Sequence, residues 1–389
     1  TIAAGAAGTQ AASFQSQMQN VGTLLDGDVQ GKLQGMSKQL KQVSIDTGAA
    51  TSDLTDGLYQ VVSAFGESAE SVKQLEIAAK AAKAGNATTT DSVNMLSAVT
   101  KGYGDTSAAA LQKASDLAFL TVKLGQTSFP ELASSMGQVV PLAATMKVSQ
   151  EELFGAMATL TGVTGGTAEV TTQLRATMQE FLSPSSQMEK ALKKMGYTSG
   201  AAALESEGLG GILTKLKESV KGDEVAFANL FSSIESKNAV LALTGTQADA
   251  FAEKTAAMGE AAGATDRAFN IQTNSVSAMA SKLKNAGSVM LTSLGEKALP
   301  YVQDAMQGLI DRMPAITETL GGVIERAGPM FGVMASGISN AVSACAPVVG
   351  RIGSMFSGAF AAAQPAIASL RDSFMAVLPT LEPVVLAIS

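Results

Sequence analysis

Pro329, Pro347, Pro365 and Pro383 recur at intervals of 18 residues. That interval is about five turns of an α-helix, so successive prolines return to the same face of a helical rod. Each unit carries apolar residues at fixed offsets from its proline: Phe331, Val349 and Ile367, then Met334, Ile352 and Leu370, then Ile338, Phe356 and Phe374, then Val342, Phe360 and Leu378. Steps of three and four keep them on one stripe. Two conformations fit. Either each proline opens a new helix at its first position, where the missing N–H has no cost, or one rod of roughly 27 Å per unit is kinked at every proline. The residues before the prolines, among them Gly328, Ala346, Gln364 and Glu382, are poor N-caps, which favours kinked, semi-continuous helices. In both cases the stripe needs a partner: copies of the chain, a surrounding tube, or lipid.

Upstream, period-two alternation never persists, whereas helical spacing recurs with starts and stops. Ser128-Phe-Pro130-Glu131 and Ser149-Gln-Glu-Glu152 have the form of capping boxes. The second precedes Leu153, Phe154, Met157 and Leu160, which share one helical face. Ser183-Pro184 opens a helix with Met188, Leu192 and Met195 that ends at Gly196, and Phe227, Leu230, Phe231 and Ile234 form another face. Breaks are expected at Gly85-Asn86, Gly102 to Gly104, Gly125, Gly165-Gly166, Gly210-Gly211, Gly222-Asp223 and Gly245. The fold class is therefore all-α, an array of short helices followed by extended, proline-punctuated amphipathic or hydrophobic helices. Three regions are expected: a helical domain over 1–245, a polar helical connector over 246–286, and a hydrophobic proline-repeat region over 287–389.

Composition narrows the function. The 389 residues include no histidine, no tryptophan and one cysteine, Cys345, so histidine-based catalysis, thiolate zinc sites and an intrachain disulfide are excluded. Gly208-Leu-Gly210-Gly211 lacks the preceding strand and third glycine of a dinucleotide loop, and no phosphate-binding or calcium-binding loop occurs. No enzyme, cofactor or metal is expected. A net charge of −7 with scattered basic residues argues against direct nucleic-acid binding. Residues 327–350 and 352–370 hold no charged side chain and reach bilayer length, but Ser, Gly, Asn340, Gln364 and prolines weaken them as spans. A protein-packed rod, a conditionally inserting segment and a constitutive span stay open, in that order. Arg175 reads as structural, a buried or half-buried anchor tying its helix to carbonyls or a carboxylate. The 18 methionines read as fillers in packed helices and as suited to surfaces that meet several partners.

Over about residues 11–245 the chain resembles the phage-tail tape-measure family, including homologues in phage-like contractile bacteriocins. Ala12 to Val21 is similar to the opening of that family's core domain, and Thr127 to Leu132 with Gly137 to Ala143 to its helix pair. Most specific are Gly165-Gly166-Thr167, Thr172-Gln-Leu174-Arg175, Leu182-Ser-Pro184 and Leu192 to Gly196; Leu230-Phe231 and Ala239 to Gly245 resemble the closing helix. Ser232, where glycine is common, and Tyr197, where an aliphatic residue is common, depart from it.

The resemblance implies a non-enzymatic protein of the virion tail or particle tube lumen, assembled in the host cytoplasm, whose length sets tube length and which leaves during infection. It implies self-association (trimer favoured, hexamer an alternative), and as partners the tail tube protein, baseplate hub or tail-tip proteins and tail assembly chaperones, with the host membrane a partner after release. A competing class is a membrane-inserting or pore-forming protein acting through residues 287–389. The short helices before residue 245 cannot all belong to an extended ruler, so the chain is expected to be a terminal portion docked at the tail tip or baseplate.

Overall fold

The computed structural model describes residues 2–326. The proline repeat (Pro329, Pro347, Pro365, Pro383) and its stripe from Phe331 to Leu378 lie outside the described residues, as do the charge-free stretches 327–350 and 352–370. Among the described residues there are sixteen α-helices and no strand. They are α1 (Ile2–Gly22), α2 (Val29–Thr47), α3 (Thr51–Phe65), α4 (Ser71–Gly85), α5 (Thr89–Tyr103), α6 (Ala108–Leu124), α7 (Phe129–Thr145), α8 (Gln150–Leu160), α9 (Thr167–Leu182), α10 (Ser186–Lys194), α11 (Gly200–Ser219), α12 (Glu224–Ala228), α13 (Ile234–Thr244), α14 (Ala248–Gly259), α15 (Ala264–Thr273) and α16 (Val276–Arg326). The one strand-like pairing described is an isolated bridge between Thr161 and Gly165.

Local sequence sets most of these boundaries. Ser128 and Glu131 form the expected capping box at α7, and Thr88 with Asp91 forms another at α5. Ser149 caps α8 by accepting the Glu152 amide, but the Glu152 carboxylate turns to α11 and takes the Gly210 amide at 3.2 Å. At the other ends, Gly48, Asn86 and Gly104 adopt left-handed conformations that close α2, α4 and α5. Two expectations are corrected. The break expected at Gly210-Gly211 falls at Gly208, whose φ of 71° and ψ of 175° bend α11 in its interior. Ile234 does not share a face with Phe227, Leu230 and Phe231: α12 ends at Ala228, α13 opens at Ile234 after the Ser233 cap, and Ile234 is 69% exposed.

The chain divides into two compact units, residues 17–285 and residues 1–16 with 286–389. In the first, α4 is packed by α2, α3, α5, α6 and α15. Its buried Ala78, Ala79, Ala81, Ala82 and Ala84 let those helices approach closely, which is how a chain poor in aromatic residues still builds a core. Leu54, Leu58, Leu75, Met95, Leu96, Phe129, Met136 and Phe154 are all fully enclosed. Gly85 sits against Phe129, where an added Cβ would lie 2.6 Å from the ring. Phe231 meets Phe181 and Phe227 edge-on, with ring centroids 6.2 and 5.5 Å away. Residues 246–285, expected as a polar connector, form α14, α15 and the start of α16 within this unit. In the second unit a Cβ on Gly295 would come within 2.6 Å of Ala11 Cβ, so α1 and α16 cross at small residues.

Candidate interaction surface

Several charged side chains of the 17–285 unit reach the ends of other helices. The first amides and last carbonyls of a helix have no partner within it, and its dipole favours anions at the start and cations at the end. Asp116, on α6, accepts the amides of Gly263 and Thr265 at 2.9 Å each and so caps α15 from another helix. Glu180, on α9, accepts the Ser232 and Ser233 amides at 2.7 and 2.8 Å at the start of α13. Asp53 takes the Thr89 amide and hydroxyl at the start of α5.

Lysines serve the opposite ends. Lys101 donates to the Ala64 carbonyl at 2.9 Å, Lys217 to Thr244 at 2.7 Å and Lys254 to Ala158 at 2.8 Å, closing α3, α13 and α8. Burial pushes the Lys254 ammonium below the usual lysine range. The α13 helix is thus held at both ends by charges from other elements. Asp116 and Glu180, the buried carboxylates of the unit, are committed to backbone amides, which is a tertiary stitching role rather than a catalytic arrangement. Among the described residues no group of three or more His, Cys, Asp or Glu stands together to hold a metal.

Two of the segments that carry the family resemblance, Thr127 to Leu132 and Gly165 to Thr167, meet at the start of α9. The Glu131 carboxylate accepts the Thr167 hydroxyl at 3.0 Å and the Ser128 amide at 3.1 Å, tying the first turns of α7 and α9 together. The Thr167 hydroxyl bond, followed by those from Ser128 and Thr127, holds its carboxyl below the usual carboxylate range. The loop from α8 to α9 is closed on itself. Val163 and Thr164 donate to the Leu160 carbonyl at 2.9 Å, and Gly162 donates to Gly165 at 3.0 Å. Thr164 also exchanges two hydrogen bonds with Gln173, at 2.7 and 3.1 Å. Gly162, at φ 78°, supplies the left-handed residue of this tight loop, which presents Val163 half exposed.

Inward, α9 buries Val170, Leu174, Met178 and Phe181 against the helices packed on it, α7, α8, α11 and α13. Outward, Ala168, Thr172, Arg175, Gln179 and Leu182 are exposed in steps of four, three, four and three, the spacing of one face of the helix. Leu182 is 49% exposed, and Ile234 follows the Ser233 amide that Glu180 holds. Arg175 therefore corrects the sequence expectation. It is exposed and makes no hydrogen bond or ion pair with the described residues, because α9 turns this face away from its neighbours. The anchors the sequence reading missed are Asp116 and Glu180, whose signal was an acidic residue inside an otherwise apolar helical run. No described helix is long and apolar enough to cross a membrane.

A family described as phage-related minor tail protein matches residues 37–234, just over half of the chain and the stretch from within α2 to the start of α13. A protein of Clostridium phage phiCD119, named probable tape measure protein, is 24% identical over 314 residues, covering 77% of this chain and 33% of that protein. The chain thus spans about a third of the length of the curated relative it matches. No solved structure matches the chain.

Proposed function

Because the chain belongs to the phage-related minor tail protein family, we propose that it is a tape-measure protein that occupies the tail tube lumen near the tip or baseplate, sets tube length and leaves on infection. The observation that carries this reading is the family match over residues 37–234 together with the similarity to a protein named probable tape measure protein. Helical rise supplies the mechanism: at about 1.5 Å per residue, a helical rod converts chain length into physical length. The 51-residue α16 is the longest described element and on this rise extends roughly 76 Å. The compact 17–285 unit is the part that docks at the tip, and the ruler lies beyond it. Its role is structural rather than enzymatic, and its partners are the tube protein, tip or baseplate proteins, assembly chaperones and copies of itself.

In-frame deletions within the full-length ruler test the reading. Tails measured by electron microscopy should shorten by about 1.5 Å per helical residue removed; tails of unchanged length would refute it. A second reading, membrane insertion through residues 287–389, draws on the charge-free stretches 327–350 and 352–370. Dye release from liposomes by the full chain tests it, and intact vesicles would leave only the packing role for this region.

A further inference from the structure

We propose that the apolar side of α16 is covered by this chain's own proline repeat: the chain reverses after Arg326, and residues 331–364 lie antiparallel along α16. From residue 286 onward, α16 belongs to the same compact unit as residues 327–389. Spacing in steps of three and four places Met290, Leu294, Ala298, Val302, Ala305 and Leu309 on one face of α16, and Met313, Ile316, Leu320 and Val323 continue it. The other sides of the helix are accounted for. Val289 and Thr292 are buried, Gly295 meets α1, and Pro300, Gln303, Asp304, Gln307 and Asp311 are exposed. A helix with its polar side in water needs cover for its apolar side.

Three features of the chain select this occupant. The first is a stop with a matching register. Arg326 in the last turn, followed by Gly328 and Pro329, is a helix-ending signal, and Pro329 suits the first position of a returning helix across a short connection. Folding about Ala327 sets Val323 opposite Phe331, Ile316 opposite Ile338, Leu309 opposite Cys345, Val302 opposite Ile352 and Ala298 opposite Phe356, each pair equidistant from that residue. The second is the placement of the prolines. Pro300 and Pro314 stand on the side of α16 away from the seam, and Pro347 and Pro365 stand on the side of their segment away from its stripe. Packed helices curve convex toward solvent and kink at proline, so these bends wrap each apolar side onto the other. The third is tethering: the repeat reaches the seam at high effective concentration, whereas a second copy or a lipid surface must be met by diffusion. The closed hairpin shields the stripe from water. The inference does not rest on the tape-measure reading.

Cys345, the single cysteine, supplies a native probe. Ala305→Cys, Leu309→Cys and Met313→Cys are made one at a time in the full chain, oxidised with copper-phenanthroline, separated by size without reductant and mapped by mass spectrometry. A disulfide forms only between closely approaching positions, with Cα atoms less than about 7 Å apart. The expected product has the mass of one chain, joins the substituted position to Cys345 and is most abundant for Leu309→Cys. Gln307→Cys, on the exposed side of α16, should give none. Ala298→Arg, which sets a charge opposite Phe356, should lower the yield of the Leu309→Cys variant by about tenfold, equivalent to about 1.4 kcal/mol. A product with the mass of two chains only, a yield from Gln307→Cys equal to that from Leu309→Cys, or no product from any of the three seam variants would overturn the proposal. Tail length, read by electron microscopy, reports separately on the tape-measure role.

Discussion

Asp116 on α6 and Thr265 on α15 are 149 positions apart in sequence and joined by a 2.9 Å hydrogen bond from the Thr265 amide to the Asp116 carboxylate. The same carboxylate takes the Gly263 amide, and the Ser115 and Thr265 hydroxyls meet at 2.8 Å beside it. Asp116→Ala leaves two buried amides without acceptors, so it should destabilise the protein by about 2–4 kcal/mol. Asp116→Asn keeps one acceptor oxygen and should cost less. Chemical denaturation of both variants measures the difference, and equal losses would show that packing rather than the cap is responsible.

Gly208 bends α11 at φ 71° and ψ 175°, a conformation that side chains with a Cβ rarely adopt, and an added Cβ would also meet the Glu152 carboxylate. Gly208→Ala should therefore cost about 1–3 kcal/mol in backbone strain, before any displacement of Glu152. Alanine is ordinarily the better helix former. A stability gain in thermal or chemical unfolding would mean that α11 can straighten without loss.

Phe231 lies between Phe181 and Phe227 and is 1% exposed. Truncation to alanine removes both edge-on ring contacts and opens a cavity, for an expected loss of about 3–5 kcal/mol. Phe231→Leu should recover more than half of that loss. Denaturant midpoints at unchanged slope check it.

Tyr103 donates to the Val148 carbonyl at 3.0 Å, and burial, followed by the charges of Glu151 and Glu152, raises its phenol pKa from the ordinary 10.0. The folded state thus holds this proton where the unfolded chain releases it. The resulting stability is fully present below pH 10.0 and is lost as pH rises above that value. Unfolding free energy followed from pH 8 upward should fall above about pH 10, and Tyr103→Phe should flatten that fall.

Glu131 gives the opposite dependence. With its pKa lowered chiefly by the Thr167 hydroxyl, the bond between the α7 and α9 starts is at full strength above the ordinary carboxylate value of 4.5 and weakens as pH falls below it. Glu131→Gln should remove this acid-side slope with a small effect at neutral pH, because the group is exposed. A titration of stability from pH 7 to pH 3 measures both.

The all-helical class and most helix boundaries were legible in the sequence because they are local. A serine accepting an amide three residues ahead, as at Ser128 and Ser149, or a glycine closing a helix, as at Gly104, depends only on neighbouring residues. Burial of Leu153, Phe154, Met157 and Leu160 on α8 followed from spacing, but Gly155, Ala156, Ala158 and Thr159 are buried as well, so the helix is covered on every side there rather than on one face. What needed the fold was every feature that depends on which helix lies beside which. Glu152 has the form of a local capping residue, yet its carboxylate serves α11. The polar run after residue 245 folds back into the compact unit, and Ile234, helical by pattern, faces solvent because α12 and α13 are separate.

Arg175 marks the same division. Its place on a helix follows from periodicity, but whether that face is covered is set by the packing of α7, α8, α11 and α13 around α9. The sequence by itself determined a helical chain without histidine chemistry, thiolate zinc sites or an intrachain disulfide, since these follow from residue identity and short-range hydrogen bonding. Only the tertiary structure decided which carboxylates become caps and which helix face stays open, because both depend on contacts between residues far apart in the chain.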